Sequence, residues 1–543
     1  MKKKLITAIP AILLFIAVLF TIEKRYELSF MFQKAFTVNP KEAVLSESDK
    51  IEDVRYFMDT ILEYTPCIDY YAENMGYDLK KNYDYYVECI KNTNNNEDFF
   101  SVIEMISDDI PSCHTSIVCY EYDSVFSSGH YNAEKICGSK DAYAYSMYWD
   151  SVCDSNRDIL VDASSFRYVD GAYLAYNPAI FGGKGGLIEL VGIDGIVIDE
   201  YVKNPMVTGE YCYDSCNDKI YRYSLRMNNS VGKRVEAEFR KADGMLFTAD
   251  VYIQTKDASL DRGTYIKGNH ELLDAEEHSA VSIDFEGINE IYNGEAGYIC
   301  EDTNNSVSYI WIANFSNLDG EALRDGICRL NPDNPVIVDL RMNSGGRTEY
   351  LSEYVLSPLL KDDIRVDMDF RSVSLIRNAF SESHWNEKRK FEKTVINSTD
   401  EYIYGRRYFH VDGTADTDRK IYVIIDNTSY SASDTAAYVL QRYGNGILVG
   451  SETAGEGMCD ITYVFKMPNS GIIFKVNGSE SLYSESNCTA PDIYINQSAE
   501  SFVKFRQCLA PDTNILNYPY KLCWDNVLIE TLEIIKEKET AEE

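Results

Sequence analysis

The chain has 543 residues, too many for one hydrophobic core, since single cores stop growing at roughly 250–300 residues. With 45% apolar and 13% aromatic residues it can fill several cores, so a folded protein of two or three domains is expected. A formal net charge of -35 excludes a nucleic-acid partner, because binding phosphates needs clustered Lys and Arg; the charge serves solubility and names no substrate.

The N-terminus differs from everything after it. Lys2, Lys3 and Lys4 precede an apolar run from Leu5 to Ile22, broken only by Thr7, Pro10 and Thr21 and about long enough to span a bilayer. The basic flank predicts a cytoplasmic tail (1–4), a transmembrane signal-anchor (5–22) and a stalk (23–40), with the remaining chain outside the cytoplasm. The run passes into Glu23-Lys24-Arg25 with no small-residue cleavage site, which favours a single-pass protein of the cell membrane; cleavage would make it secreted. Fourteen Cys suit an extracytoplasmic compartment. The closest loop pair, Cys212 and Cys216, lacks a second pair or a nearby His at ligand spacing, so neither metal nor cofactor is expected.

Residues 41–125 read as a helical domain. Ser46 and Ser48 can cap a helix in which Ile51, Val54, Phe57, Met58, Ile61 and Leu62 recur at helical spacing, and Phe99, Val102, Ile103 and Ile106 form a second stripe. His114 follows it. From 126 to 290 the pattern turns to short alternating runs and Gly-rich turns, predicting a mostly β region. There Gly186 to Gly195 resembles the strand and turn of a PDZ domain, whereas Phe181 to Gly186 lacks the spacing and the Ser/Thr after Lys184 of a phosphate loop. Residues 291–500 repeat strand, loop and helix: Pro335 to Leu340 is an apolar strand followed by helix from Glu349 to Leu360, and Ile421 to Ile425 leads through a turn into helix from Ser431 to Tyr443 and strand Ile447 to Gly450. This plan predicts an α/β core with a largely parallel sheet. Residues 501–543 end in a helix from Asn526 and an acidic tail.

In open α/β sheets, catalytic groups gather at the carboxyl ends of strands, where two loops of this core lie. Ser431 heads a helix whose free N–H groups and dipole can stabilise an oxyanion. The loop Asn343-Ser344-Gly345-Gly346 lets a substrate backbone approach. Taken alone, Ser431 reads first as a helix cap, since Ser431-Ala432-Ser433-Asp434 is an acceptable capping box.

Asp339-Leu340-Arg341-Met342-Asn343-Ser344-Gly345-Gly346 resembles the D-L-R-x-N-P-G-G loop of the tail-specific (C-terminal processing) proteases, with Ser344 for Pro. Asn427 to Asp434 resembles their T-A-S-A-S-E segment, Gly450 to Gly455 their G-x-x-T-x-G segment, and Ala490-Pro491-Asp492-Ile493 the closing G-V-x-P-D-I. Four motifs in order are far more specific than one. The resemblance implies a crotonase/Clp-protease-like α/β core with Ser431 as nucleophile and the N–H groups of Gly345 and Ala432 as oxyanion hole. Glu456 stands where many members carry the general-base Lys, which argues against a Ser-Lys dyad. A tricorn-like branch uses an upstream His in D-G-H-T and a downstream Glu; Cys113-His114-Thr115 matches at His114 and Thr115, making His114 the expected base. Glu485 is then the expected third member, with Glu480 as the alternative and a solvated loop carboxylate as the ordinary reading of either.

The implied activity is a serine endopeptidase cleaving extracytoplasmic proteins or peptides through an acyl-enzyme, bound to the membrane by its N-terminus. The competing expectation is a catalytically inactive peptidase fold that binds peptides or partners there, a decay that Cys113, Ser344 and Glu456 would fit.

Overall fold

The computed structural model describes residues 24–542 with interruptions, the longest being 160–165, 205–210, 223–233, 256–265, 268–285, 375–391 and 509–523. The expected anchor, 5–22, lies outside the described residues, among which no helix is long and apolar enough to cross a membrane.

Four helices open the fold: α1 (Arg25–Phe36), α2 (Glu47–Tyr64), α3 (Leu79–Lys91) and α4 (Asn96–Asp109). Ser46 starts α2 with a capping box, its hydroxyl accepting from Asp49 N (3.2 Å) and its N–H donating to the Asp49 carboxylate (2.8 Å). The predicted stripes meet, Val54, Phe57, Met58 and Ile61 sharing one core with Phe99, Val102, Ile103 and Ile106. A short strand, β1 (Ser116–Ile117), leads to α5 (Tyr122–Ser127), α6 (Ala133–Cys137) and α7 (Ala142–Ser155). Helix therefore extends past residue 126, where strands were expected. The buried Trp149 stacks on Phe100 at 5.4 Å and draws α7 into the helical core, although its Tyr- and Ser-rich sequence shows no clean stripe.

A mostly antiparallel region follows, comprising β2 (Arg167–Val169), β3 (Ala172–Tyr176), β4 (Leu187–Ile193), β5 (Lys219–Arg222), β6 (Arg234–Lys241), β7 (Leu246–Tyr252) and β8 (Ile266–Lys267). All but β5 join one sheet in the order β8-β7-β6-β4-β3-β2. On β5, Arg222 donates to the Asp109 carboxylate at 2.5 Å, both side chains being 1% exposed. Tyr86 also donates to Asp109. This fully desolvated pair ties the sheet region to the end of α4, and removing either partner would strand a buried charge.

The core comprises β9 (Ile288–Gly294), β10 (Gly297–Asp302), β11 (Val307–Ile312), α8 (Gly320–Cys328), β12 (Val336–Asp339), a helical stretch over 348–359 with a π-helical turn at Leu351–Leu356, β13 (Ile364–Val373), β14 (Glu392–Ser398), β15 (Tyr402–Val411), β16 (Ile421–Ile425), α9 (Ala432–Tyr443), β17 (Ile447–Gly450), β18 (Thr462–Lys466), β19 (Ile473–Asn477), β20 (Ser479–Ser481), β21 (Ile493–Tyr494), α10 (Ala499–Cys508) and α11 (Asn526–Glu542). Its seven-stranded sheet runs β9-β10-β11-β12-β16-β17-β21, antiparallel in the first two pairs and parallel in the remaining four. Every residue of β12 and β16 is buried. Alternation sends Val338, Val423 and Ile425 toward α8 and α9, and Ile337, Tyr422 and Ile424 toward α11, which explains why these strands are apolar throughout.

Two smaller sheets frame this core. One orders β14-β15-β13-β20; the other places β1 on the edge of β19, pairing Ser116 with Lys475 and Ile117 with Phe474. That pairing carries His114, more than 300 residues away in the chain, to the core.

Candidate active site

Ser431 ends the turn after β16 and precedes α9. It occupies the N-cap position yet makes no side-chain cap bond, and its backbone sits at φ 57°, ψ -115°. No L residue adopts that conformation without strain, so the surroundings hold it: Ser431 N–H donates to Gly455 O (2.9 Å) and Tyr430 N–H to Asn343 O (3.1 Å). The capping reading fails at this residue. A sharp, strained strand-to-helix turn is how a nucleophile is pushed clear of its own backbone.

The Gly-rich loop lies against it. A Cβ on Gly345 (φ 98°) would come within 2.8 Å of Ser431 Cβ and 2.9 Å of Ala432 N, so the glycine backbone borders the same space as the hydroxyl and the first N–H of α9. Ala432 opens the helix, and its N–H has no intrahelical acceptor. Gly345 N–H donates to Asn343 Oδ1 at 2.9 Å, so serving an oxyanion requires exchanging that bond. Gly345→Ala adds a clash and a disfavoured φ, and should lower stability by about 2 kcal/mol or more and peptide hydrolysis by at least about 100-fold. Thermal unfolding and turnover of one peptide check both numbers; an unchanged turnover would remove this loop from the site.

The remaining motif residues are structural. Arg341 bridges Asp339 (3.0 and 2.6 Å) and Asp525 (3.0 and 2.6 Å), pinning the end of β12 to the start of α11. Asp434, fully buried on α9, accepts from Thr453 Oγ1 (2.5 Å), Gly457 N (3.0 Å) and Thr489 N (2.9 Å), joining the helix to the loops at 453–457 and 489. Burial pushes its carboxyl from 3.8 up to about 6, while the bonds from Thr453 and Thr489 pull the other way. The folded protein then binds a proton that the unfolded chain has lost between about pH 4 and 6, so stability falls as pH rises through that window. The contribution is at most roughly 3 kcal/mol, at about 1.4 kcal/mol per pH unit. Burial raises Asp53, Asp109, Asp426 and Glu480 in the same direction. Urea midpoints should therefore drop from pH 5 to pH 7.5, and less in Asp434→Asn; a midpoint that rises over this range would contradict the assignment.

His114 lies beside the nucleophile turn, its ring 5.1 Å from that of Tyr430, the residue before Ser431. The residue is partly exposed, but its Nε2 is shielded from solvent and has no hydrogen-bond partner, leaving it available to a hydroxyl. Burial lowers the imidazole below its usual 6.5; Glu456 opposes this and Lys475 adds to it.

Glu456 is the carboxylate that sequence reasoning treated only as a missing Lys. It is 2% exposed, with φ 56°, and accepts from His114 N (3.3 Å), Asn477 Nδ2 (3.1 Å) and Tyr430 Oη. Asn477 N–H in turn donates to Thr115 Oγ1 at 3.0 Å. One side chain thus gathers the His114 loop, the Ser431 turn and β19. Glu480, the alternative third member, is 4% exposed on β20 and forms an ion pair with Arg371, which also donates to Pro66 O at 3.0 Å. Glu485 lies outside the described residues. Among the described residues no group of His, Cys, Asp or Glu is placed to hold a metal ion.

A serine on a strained turn at the carboxyl end of a parallel strand, flanked by a glycine loop and a helix N-terminus, is an arrangement that suits serine hydrolase chemistry within an α/β core. Residues 306–494, which include Gly345, Ser431 and Glu456, match the model of peptidase family S41, so this stretch of the chain is similar to a serine peptidase core. His114 lies outside the matched residues. No curated protein matches the chain in sequence. Among solved structures it is similar to mature CPAF, at 12% identity over 85% of this chain and 95% of that one with a TM-score of 0.49. It is also similar to the photosystem II D1 C-terminal processing protease, at 13% identity over 83% and 94% with a TM-score of 0.34.

Proposed function

We propose that the chain is an active peptidase that hydrolyses peptide bonds of extracytoplasmic proteins or peptides through an acyl-enzyme on Ser431. The observation that supports this reading is the strained, non-capping Ser431 on a turn whose Tyr430 ring lies 5.1 Å from an imidazole with no hydrogen-bond partner at Nε2. His114 takes the hydroxyl proton as Ser431 Oγ attacks the carbonyl, then gives it to the leaving amine; water, activated by the same imidazole, releases the acyl group. Ala432 N–H receives the developing oxyanion, joined by Gly345 N–H once it leaves Asn343. Glu485 remains the proposed carboxylate for the imidazolium, with Glu456 fixing the backbone that carries the ring. The antiparallel region ahead of the core is proposed, as a PDZ-like module, to take an extended peptide at a sheet edge. Residues 5–22 are proposed to anchor the chain in the cell membrane, with the peptidase outside the cytoplasm.

Labelling the full chain with a fluorophosphonate probe tests the catalytic reading. Wild type should be labelled, and Ser431→Ala and His114→Ala should not. A folded wild type that takes no label would instead support a protein that binds peptides without cutting them.

A further inference from the structure

Helix α1 has two apolar sides. Phe30, 8% exposed, faces the body, stacking on Tyr122 (5.7 Å) and Phe126 (3.7 Å), while Gln33 Nε2 donates to Ser139 O at 2.8 Å. The helix sits close, since a Cβ on Gly138 would lie 2.4 Å from Tyr26 O. α1 is therefore fixed to the fold by one side.

The other side is an apolar stripe in water. Leu28, Met31, Phe32, Ala35 and Phe36 recur at i, i+3, i+4, i+7 and i+8, the spacing that places residues on one helical face. Their exposure is 37% for Leu28, 58% for Met31, 63% for Phe32 and 71% for Phe36, and Ala35 is exposed as well. These side chains are exposed among the described residues, and contiguous apolar patches on soluble surfaces mark contact sites.

The sequence identifies the apolar medium within reach. Only Glu23 and Lys24 separate α1 from the apolar run ending at Ile22, a link of about 7 Å when extended. Where that run leaves a bilayer, the stripe is at the lipid surface. With the whole chain at -35, attraction to headgroups cannot supply the contact, whereas three bulky apolar side chains and two smaller ones can. Resting on the anchor reading of residues 5–22, we propose that α1 lies in the membrane plane with Leu28, Met31, Phe32, Ala35 and Phe36 immersed in the phospholipid interface, holding the peptidase body in one orientation against the bilayer.

The test uses the full chain in phosphatidylcholine vesicles and Phe32→Trp, read as the fluorescence difference from wild type. The added tryptophan should emit blue-shifted light, lose more than about half its intensity to lipids brominated near the headgroup, and resist iodide. Quenching by iodide and not by lipid overturns the proposal, as does protection from both, which would mean that a second copy or another part of the chain covers the stripe. The anchor is read separately, by retention of wild type in the vesicle pellet after alkaline carbonate washing. Release counts against the anchor; loss of lipid quenching in retained protein counts against α1; release without quenching removes both.

Discussion

Replacing Ser431 with alanine will lower peptide hydrolysis by about 10⁴–10⁶-fold, the range seen when a nucleophile is removed from a serine hydrolase, while leaving the unfolding midpoint almost unchanged. Alanine keeps the Cβ and therefore the strain of φ 57°, ψ -115°. Glycine does not. Ser431→Gly should be as inactive as the alanine variant yet more stable by about 1 kcal/mol, because the conformation that Ser431 N–H to Gly455 O and Tyr430 N–H to Asn343 O impose is one that glycine adopts freely. Two variants equal in activity and different in stability separate chemistry from strain. Residual turnover in Ser431→Ala near the wild-type rate would remove Ser431 as nucleophile, and a glycine variant no more stable than the alanine one would remove the strain argument. The wider meaning is that the site trades folding free energy for a hydroxyl projected into the space beside Gly345 and Ala432.

What could be read in advance followed from local chemistry. Strands Ile421–Ile425 and Ile447–Gly450 stand at their predicted bounds because short, unbroken apolar runs closed by Asn, Ser or Gly leave little choice of element. The turn at Ser431 was legible for the same reason, since a buried strand and a helical stripe are joined there by six residues, 426–431. Helix α7 was not, because its one strong anchor, Trp149, packs on helices far earlier in the chain rather than on neighbours at helical spacing. The two antiparallel pairs of the core sheet and the long pair β13 and β15 also escaped, as alternating residues that pack across strands look alike whether the partner runs parallel or antiparallel. Glu456 shows the limit most clearly. Its residue type announced that a lysine was missing, but its contact with His114 joins positions 342 residues apart and depends on β1 pairing with β19, which no local pattern encodes.

Glu456, which takes no part in the proposed proton transfer itself, should still carry a large effect on activity. Glu456→Ala leaves Tyr430 Oη, Asn477 Nδ2 and His114 N–H without their shared acceptor, and is expected to lower kcat/KM by about 100- to 1,000-fold through a displaced base. A purely structural prop would do the same, so the decisive variant is Glu456→Gln, which keeps an acceptor oxygen and removes the charge. Two charged groups act on His114: Glu456 raises its proton affinity and Lys475, beside β1 on β19, lowers it, both against the larger downward effect of burial. On the proposed mechanism the imidazole must be neutral to accept the Ser431 proton, so activity should be lost as pH falls through the His114 pKa. Without the Glu456 charge that pKa falls further, and the acid limb of kcat/KM moves to lower pH in Glu456→Gln; without the Lys475 charge, in Lys475→Met, it moves to higher pH. A support that only held the loop would scale the profile and leave its limb in place. Opposite displacements in the two variants would therefore establish that the carboxylate standing in the lysine position acts on His114 through its field as well as its hydrogen bonds, whereas an unmoved limb in both would reduce Glu456 to a structural clamp.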